Sequence, residues 1–293
     1  MVKDRTRELA NDVVFLAPAL IFFSVIVILS FFLGIFYAFT SWNGVSQAAQ
    51  WVGIENFRTI FLEDPQVGQS AWFTIRFTFT SVIISNLVGL ILALILTRPM
   101  RFSNGFRAIF FLPNVIGGII LGFVWRFIFT NGIPTLAEFV PIGILELPWL
   151  GDPSSGFWGT VIVFTWKTAG YLMVIYIAAI VTIDDSLLES ARIDGANWVQ
   201  MLFRIVFPLI VPAFTVCLFL MLSWATKIFD ILFSLTNGGP FRSTEAFALN
   251  IYYEAFQYNN YGLGAAKAVL FFIVVGLFTY AQVSLTKRLE IEA

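Results

Sequence analysis

The chain has 293 residues, of which 59% are hydrophobic and only 12% are charged, about half the charged fraction of an ordinary soluble domain. This composition excludes a typical water-soluble protein, because so much apolar surface needs lipid to cover it. The net charge of −1 provides no basic face for a nucleic acid. The lack of histidine and the single cysteine, Cys217, exclude histidine-based zinc sites, Ser-His-Asp triads and an intrachain disulfide.

Six apolar segments are long enough to cross a bilayer as helices, which takes about 20 residues each. In chain order they are 13–40, 72–97, 108–130, 157–183, 209–235 and 266–286. The first segment is too long for the apolar part of a signal peptide and lacks a small-residue cleavage site, so we expect it to be retained. The sequence therefore predicts an all-α integral membrane protein, a single domain over 1–293 with six transmembrane helices.

Basic residues are concentrated before span one, in the loops after spans two and four, and after span six. They are Lys3, Arg5, Arg7, Arg98, Arg101, Arg107, Arg192, Arg204, Lys287 and Arg288. Lysine and arginine mark the cytoplasmic side of membrane proteins. We therefore expect both termini and the polar loop between spans four and five, about 184–207, to be cytoplasmic.

Motifs for nucleotide or cofactor binding are missing from the sequence. It contains no Gly-Lys dipeptide and hence no phosphate-binding loop, and Gly262-Leu263-Gly264 has Lys267 where a dinucleotide fingerprint needs a third glycine. We expect the chain to bind no cofactor and to have no ATP site or enzymatic activity of its own. Uphill transport would then need a partner or an ion gradient.

The polar 184–207 loop has a helix-compatible pattern. Helical spacing places Glu189, Ile193 and Ala196 on one side, with Ala191 and Gly195 on a neighbouring strip. Small residues allow another surface to approach closely, and a carboxylate beside them can bind an arginine. From the residues alone two interpretations remain open: an amphipathic connector lying on lipid headgroups, or a docking surface for a protein partner.

The same loop resembles the signature of the permease subunits of binding-protein-dependent ABC importers, which reads Glu-Ala-Ala, three residues, Gly, nine residues, Ile, one residue, Leu-Pro. The residues in register are Glu189, Ala191, Gly195, Ile205 and Pro208. Ser190 and Phe207 replace alanine and leucine. Further strings resemble the carbohydrate branch of the family: 191–196, Phe229-Asp230-Ile231, 236–240, Ala255-Phe256, Tyr261-Gly262, 16–19 and Phe111-Leu112-Pro113-Asn114.

The resemblance implies a type I importer permease of the maltose-permease kind, in the cytoplasmic membrane of a bacterium or archaeon. Its partners would be a second permease, usually a different chain, two ATPase subunits that hold ATP and Mg²⁺, and an extracytoplasmic binding protein that delivers a sugar. The loop would be a coupling helix seated in an ATPase. The residues implied in coupling are Glu189, Ser190, Ala191, Asp194, Gly195, Ala196, Ile205 and Pro208.

Charged residues inside the spans are candidates for a sugar pathway, since they are costly in a membrane. Span five carries Ser223, Lys227, Asp230 and Ser234, and their spacing of four, three and four residues places them on one helical face. Span four adds Trp166, Lys167 and Tyr171. Structural ion pairing, for example between Lys227 and Asp230, or contact with the second permease is the competing interpretation. Lys267 and Arg126 lie near span ends, where we expect their charges to reach water.

Two other classes of protein fit the sequence less well. An ion-gradient-driven secondary sugar transporter would favour inverted repeats and several buried acids, whereas no matched halves are evident and Asp230 is the one acid clearly inside a predicted span. An intramembrane enzyme would need a nucleophile with its base, or a metal site, which a chain without histidine does not offer.

Overall fold

The structure is a computed structural model that describes residues 2–46, 48–98, 100–140 and 142–286. Lys287 and Arg288, which entered the orientation argument, lie outside these residues. The described part is helical, and its strand-like pairing is limited to an isolated antiparallel bridge between Thr40 and Trp51.

Twelve helices, several of them containing π-helical turns, make up the described chain. The first six are α1 (Val2–Phe23, Ser24–Leu29 and Ser30–Ala38), α2 (Glu55–Leu62), α3 (Pro65–Leu96), α4 (Ser103–Val115), α5 (Gly118–Phe127, Ile128–Gly132 and Ile133–Phe139) and α6 (Pro153–Val181). The others are α7 (Asp185–Ile193), α8 (Trp198–Met201, Leu202–Val206 and Phe207–Leu209), α9 (Val211–Thr226), α10 (Asp230–Leu235), α11 (Phe247–Tyr252 and Tyr253–Gln257) and α12 (Tyr261–Thr286).

Five helical stretches among the described residues are long and apolar enough to cross a membrane. They are Val13–Ala38, Pro65–Leu96, Gly118–Phe139, Pro153–Val181 and Tyr261–Ser284. Trp198–Leu209 and Val211–Thr226 make a sixth if the two pieces, bent by 71° at their junction, form one broken span. The helices divide between two compact units, one made of the residues up to Pro65 with Ile251–Ile273, the other of Gln66–Asn250 with the residues from Val274 onward.

Two predicted spans are not continuous helices. In span three, Ile116 is extended (ψ 129°) between α4 and α5, so 108–130 contains the end of one helix and the start of another. In span five, α9 ends at Thr226 and α10 begins at Asp230. The prediction that Ser223 and Ser234 lie on one face of a single helix is therefore wrong. Pro208 lies in the last segment of α8, and the long helix α9 begins after Ile210.

Glycines bring the central helices of the second unit into close contact. A Cβ at Gly89 of α3 would lie 2.8 Å from the Leu172 Cβ of α6, and one at Gly170 of α6 would overlap the Phe110 carbonyl of α4. Membrane helices commonly use small residues in this way. In lipid no hydrophobic driving force brings helices together, so they associate through close van der Waals packing. These contacts fix α6 between α3 and α4.

Buried hydroxyl and amide groups join α3 to α6. Ser85 Oγ lies 3.3 Å from Thr165 Oγ1 and 3.2 Å from Thr168 Oγ1, and the Tyr176 hydroxyl donates to Asn86 Oδ1 over 2.6 Å. Such groups need a protein partner where no water is available. The polar side chains at this level of α3 thus serve helix packing.

Lys267 in the first unit does not reach water, contrary to our expectation. Its side chain is fully buried, and Nζ lies 2.7 Å from both Asp64 Oδ2 and Glu254 Oε2. Glu254 Oε1 also accepts a hydrogen bond from Asn260 Nδ2 over 2.8 Å. A buried cation is tolerated when carboxylates and hydrogen bonds replace its hydration, so Lys267 ties together distant parts of the sequence.

Candidate functional site

The 184–207 loop forms two short helices, α7 and α8, with a defined start. Asp184 caps α7, its carboxylate accepting the Ser186 N–H over 2.9 Å. This backbone hydrogen bond holds the pKa of Asp184 below its usual value, because it stabilises the ionised form. The Ser190 hydroxyl folds back on the helix and donates to the Ser186 carbonyl over 2.8 Å.

A glycine turn ends α7. Gly195 has φ +81°, the Ala196 N–H donates to the Ala191 carbonyl over 2.9 Å, and the Gly195 N–H donates to that of Arg192 over 3.1 Å. This pair of bonds is the Schellman motif, whose left-handed residue is usually glycine. Because the helix ends here, Ala196 does not extend the face of Glu189 and Ile193 as the helical spacing had predicted.

The chain then re-enters a helix through a capping box. Asn197 Oδ1 accepts the Gln200 N–H, and Gln200 Oε1 accepts the Asn197 N–H, each over 2.9 Å. Both donors at the start of α8 are thereby satisfied. The two helices of the loop are consequently joined by a turn of fixed geometry.

The candidate coupling residues of this loop lie mostly at the surface. Glu189, Ser190, Asp194, Gly195 and Pro208 are exposed, whereas Ala191, Ala196 and Ile205 are partly buried. Several large apolar side chains share the surface, above all Ile193 with 86% of its area exposed, and also Trp198, Val199 and Phe203. Exposed apolar side chains gathered with polar neighbours are typical of a surface that contacts a partner or a membrane.

The second candidate site is a cavity of about 340 Å³ at the break between α9 and α10. Lys227 stands at the end of α9 and Asp230 at the first turn of α10. Each charge has the sign that the adjacent helix end favours. Asp230 Oδ1 accepts the Ile231 N–H over 2.9 Å, and its Oδ2 lies 3.7 Å from Lys167 Nζ of α6. The carboxylate is therefore paired with Lys167 rather than with Lys227.

Four of the predicted pathway residues line this cavity: Lys167, Ser223, Lys227 and Asp230. Three others do not. The Trp166 ring packs edge-on against Trp125 with a centroid distance of 5.4 Å, and the Tyr171 ring contacts the lining residue Trp224 with a centroid distance of 5.3 Å. Ser234 is buried, where its hydroxyl donates to the Asp230 carbonyl over 2.9 Å.

The lining also includes residues that the charge pattern did not select, namely Asn114, Phe164, Thr168, Trp224, Ile228 and Ile231. Asn114 follows Pro113 at the break between α4 and α5, and the string Phe111-Leu112-Pro113-Asn114 was the available signal for it. The cavity thus offers two ammonium groups, one carboxylate, an amide, hydroxyls and aromatic rings. Hydrogen-bonding groups beside aromatic faces suit a polar ligand.

Comparison with known proteins decides the family. Residues 85–290 match the family described as the binding-protein-dependent transport system inner membrane component. The chain belongs to this family. The permease is thus a multi-pass subunit of the plasma membrane, and the sequence-based resemblance to ABC importer permeases is confirmed. The family supports this prediction against the ion-gradient-driven alternative.

Individual relatives cover nearly the whole permease. It is 44% identical over 278 residues to the probable starch degradation products transport system permease protein AmyD of Thermoanaerobacterium thermosulfurigenes, covering 95% of this chain and 94% of the relative. It is 29% identical over 260 residues to the multiple sugar-binding transport system permease protein MsmF of Streptococcus mutans, covering 89% of each.

A solved structure shares the fold of the permease. It is a chain from a bacterial ABC transporter involved in the import of the acidic polysaccharide alginate, with a TM-score of 0.84, 23% sequence identity and 98% coverage of both chains. The predicted all-α type I permease fold is therefore confirmed.

Proposed function

We propose that the permease takes up an oligosaccharide, of the kind released from starch, that a binding protein delivers from outside the cell. The observation that carries this proposal is the 44% identity to a starch-product permease over almost the full length of both chains. The cavity at the α9–α10 break agrees with it, because its volume lies within the usual range for small-ligand sites.

In this proposal the ion pair of Lys167 and Asp230 binds sugar hydroxyls, since an ammonium donates hydrogen bonds and a carboxylate accepts them. Trp224 supplies a flat apolar face for a sugar ring. The helix break adds backbone groups without helical partners, which membrane proteins tolerate where the chain lines a cavity. The permease forms half of the pathway, and a second, different permease forms the other half.

The 184–207 loop is proposed to couple transport to ATP hydrolysis. Its exposed Glu189 would bind a cation of one of two ATPase subunits, which hold the ATP and Mg²⁺, while Ile193 fills an apolar cleft beside it. The fixed turn at Gly195 then transmits the movement of the ATPase to α9. In this proposal the loop and both termini lie in the cytoplasm of a bacterial or archaeal cell, and the α9–α10 break lies in the path of the sugar.

The complex reconstituted with its ATPase and binding protein tests the substrate. Malto-oligosaccharides are expected to stimulate ATP hydrolysis and to accumulate inside vesicles only when ATP is present, and a matched sugar acid serves as the comparison. Uptake driven by a sodium or proton gradient, with this chain alone, would overturn the proposal.

Charge reversal at Glu189 tests the coupling role. Glu189→Lys is expected to abolish ATP-driven uptake and to leave membrane insertion intact, because it replaces an anion by a cation on the surface proposed to contact the ATPase. Glu146→Lys is the matched control, since Glu146 is also exposed but lies in the loop between spans three and four. Normal uptake by Glu189→Lys would remove Glu189 from the coupling surface.

A further inference from the structure

Arg76 is an exposed arginine inside an apolar membrane helix. It lies eleven residues after Pro65 on α3, a 32-residue helix with the composition of a membrane span. An arginine on such a helix is costly unless its guanidinium reaches water, an anion or lipid phosphate. The guanidinium of Arg76 therefore needs either water or an anion within its reach.

Neighbouring side chains fix the depth of Arg76. Trp72, one turn earlier, has 64% of its area exposed, and exposed tryptophans on membrane helices lie at the headgroup level. One turn later and beyond, Phe79, Ile83 and Leu87 continue the same exposed face toward the middle of the helix. Arg76 thus lies where a headgroup zone gives way to an acyl-chain zone.

The guanidinium is held in place by an aromatic ring. Arg76 Cζ lies 3.8 Å from the centroid of the Phe157 ring of α6. A cation stacked on a ring keeps its edges free, and those edges carry the N–H donors that form bidentate bonds with phosphate or carboxylate. Arg76 lines a cavity of about 380 Å³, together with Gln69, Ser154, Arg242 and Ser243.

The charge of this cavity is unbalanced by one. Arg242 is neutralised by Glu245, whose carboxylate oxygens accept from its Nε and Nη2 at 2.5 and 2.7 Å. No aspartate or glutamate is among the described residues that line the cavity. The lining therefore contains no counter-charge for Arg76. The Ser243 hydroxyl is buried and lacks a hydrogen-bond partner in the described chain. A monoanion with several acceptor oxygens would satisfy both groups.

We propose that this cavity binds the phosphodiester of a membrane phospholipid, in the leaflet that surrounds the start of α3. Arg76 donates two hydrogen bonds to the phosphate oxygens, and Ser243 donates a third. The acyl chains lie along Phe79, Ile83 and Leu87. A carboxylate of the second permease would satisfy the same donors. The lipid is favoured because Trp72 marks the headgroup level and an exposed apolar face continues from the site.

Native mass spectrometry of the full permease complex tests the proposal, with phosphatidylglycerol added to delipidated protein. Arg76→Gln is expected to bind this lipid roughly tenfold more weakly at one site per chain, because it loses the charge-assisted bonds. Arg76→Lys should bind with intermediate strength, since lysine keeps the charge but lacks the planar guanidinium that binds a phosphate with two hydrogen bonds. Diacylglycerol, which lacks the phosphate, should not occupy the site, and millimolar inorganic phosphate should not displace the lipid.

Arg58→Gln is the matched control, because Arg58 is an exposed arginine with an ion pair to Glu55, and it should leave lipid binding unchanged. Equal lipid binding by wild type and Arg76→Gln would overturn the proposal. Displacement by inorganic phosphate would assign the site to a free anion. Loss of the second permease from Arg76→Gln with lipid binding intact would assign Arg76 to a partner carboxylate.

A second measurement does not depend on the folding of an Arg76 variant. Phosphatidylglycerol with brominated acyl chains should quench the fluorescence of Trp72, obtained as the difference between wild type and Trp72→Phe, more strongly than brominated diacylglycerol at equal concentration. Equal quenching by the two lipids would show no phosphate-dependent occupancy and would contradict the proposal.

Discussion

Replacing Gly195 by alanine should destabilise the turn between α7 and α8 through backbone conformation alone. A Cβ at this position meets no atom within 4 Å, so the added methyl group causes no clash with the rest of the chain. The φ of +81° lies in the left-handed region, which costs an alanine about 1–2 kcal/mol. The hydrogen bonds at stake are those from the Gly195 and Ala196 N–H groups.

A cost of that size lowers the population of the closed turn by a factor of roughly 5 to 30 relative to the frayed state. Hydrogen exchange of the assembled complex measures this directly, and the amides of residues 194–196 should exchange faster by that factor. Under the proposed coupling role, binding-protein-stimulated ATP hydrolysis and uptake should fall together. Gly195→Asn is the matched control, since asparagine enters the left-handed region more readily than alanine.

Unchanged exchange in Gly195→Ala would refute the conformational argument. If alanine and asparagine impair uptake equally while exchange stays normal, glycine is needed because another surface approaches it closely, and not because of its φ.

Three further outcomes are expected. Lys267→Met should lower the free energy of unfolding by about 3–5 kcal/mol, because the buried Glu254 and the partly buried Asp64 lose their counter-charge; reversible detergent unfolding followed by tryptophan fluorescence measures it. Asp230→Asn should reduce uptake per assembled complex, since it removes the charge that pairs with Lys167. The pKa of Asp184 is lowered by the hydrogen bond from the Ser186 N–H. The cap is therefore fully formed above about pH 3.9, the pKa of an unperturbed aspartate, and is lost as the pH falls through the lowered pKa. Amide exchange at the start of α7, corrected for intrinsic rates, should rise only below about pH 3.9.

Each of these has a control. Lys267→Arg keeps the charge and should cost less than Lys267→Met; equal stability of wild type and the methionine variant would contradict the buried ion cluster. If Asp230→Asn reduces assembly but leaves uptake per complex unchanged, its ion pair is structural. Asp184→Asn still caps the helix without titrating, so a pH dependence that persists in this variant would assign it to another group.

The sequence contained much of what organises the 184–207 loop. Glycine at 195 and the Asn197–Gln200 spacing are local signals, because caps and left-handed turns depend on residues within one helical turn of each other. These residues define the helix boundaries and the turn, but the helical-spacing prediction for Ala196 ran past them. The partial burial of Ala191 and Ala196 could not be predicted, since it depends on tertiary packing.

The break in span five could not be predicted from the periodicity of the sequence. Ser223, Lys227 and Asp230 follow helical spacing without proline or glycine, so periodicity favours a continuous helix. The interruption places Asp230 beside Lys167 and against Gly118, where a Cβ would overlap the carboxylate. Lys267 was misjudged for the same reason, because its partner Asp64 lies about two hundred residues away in the chain.

The glycine contacts of α6 have a mechanical consequence. Because Gly89 and Gly170 bring α3 and α4 to within backbone distance of α6, sliding any of these helices by one residue would drive a side chain into a backbone. The three helices can move only as one rigid body. A reorientation of the permease during transport would then be absorbed outside these three contacts, where the helical hydrogen bonding is already interrupted, for example at Ile116 and between Thr226 and Asp230.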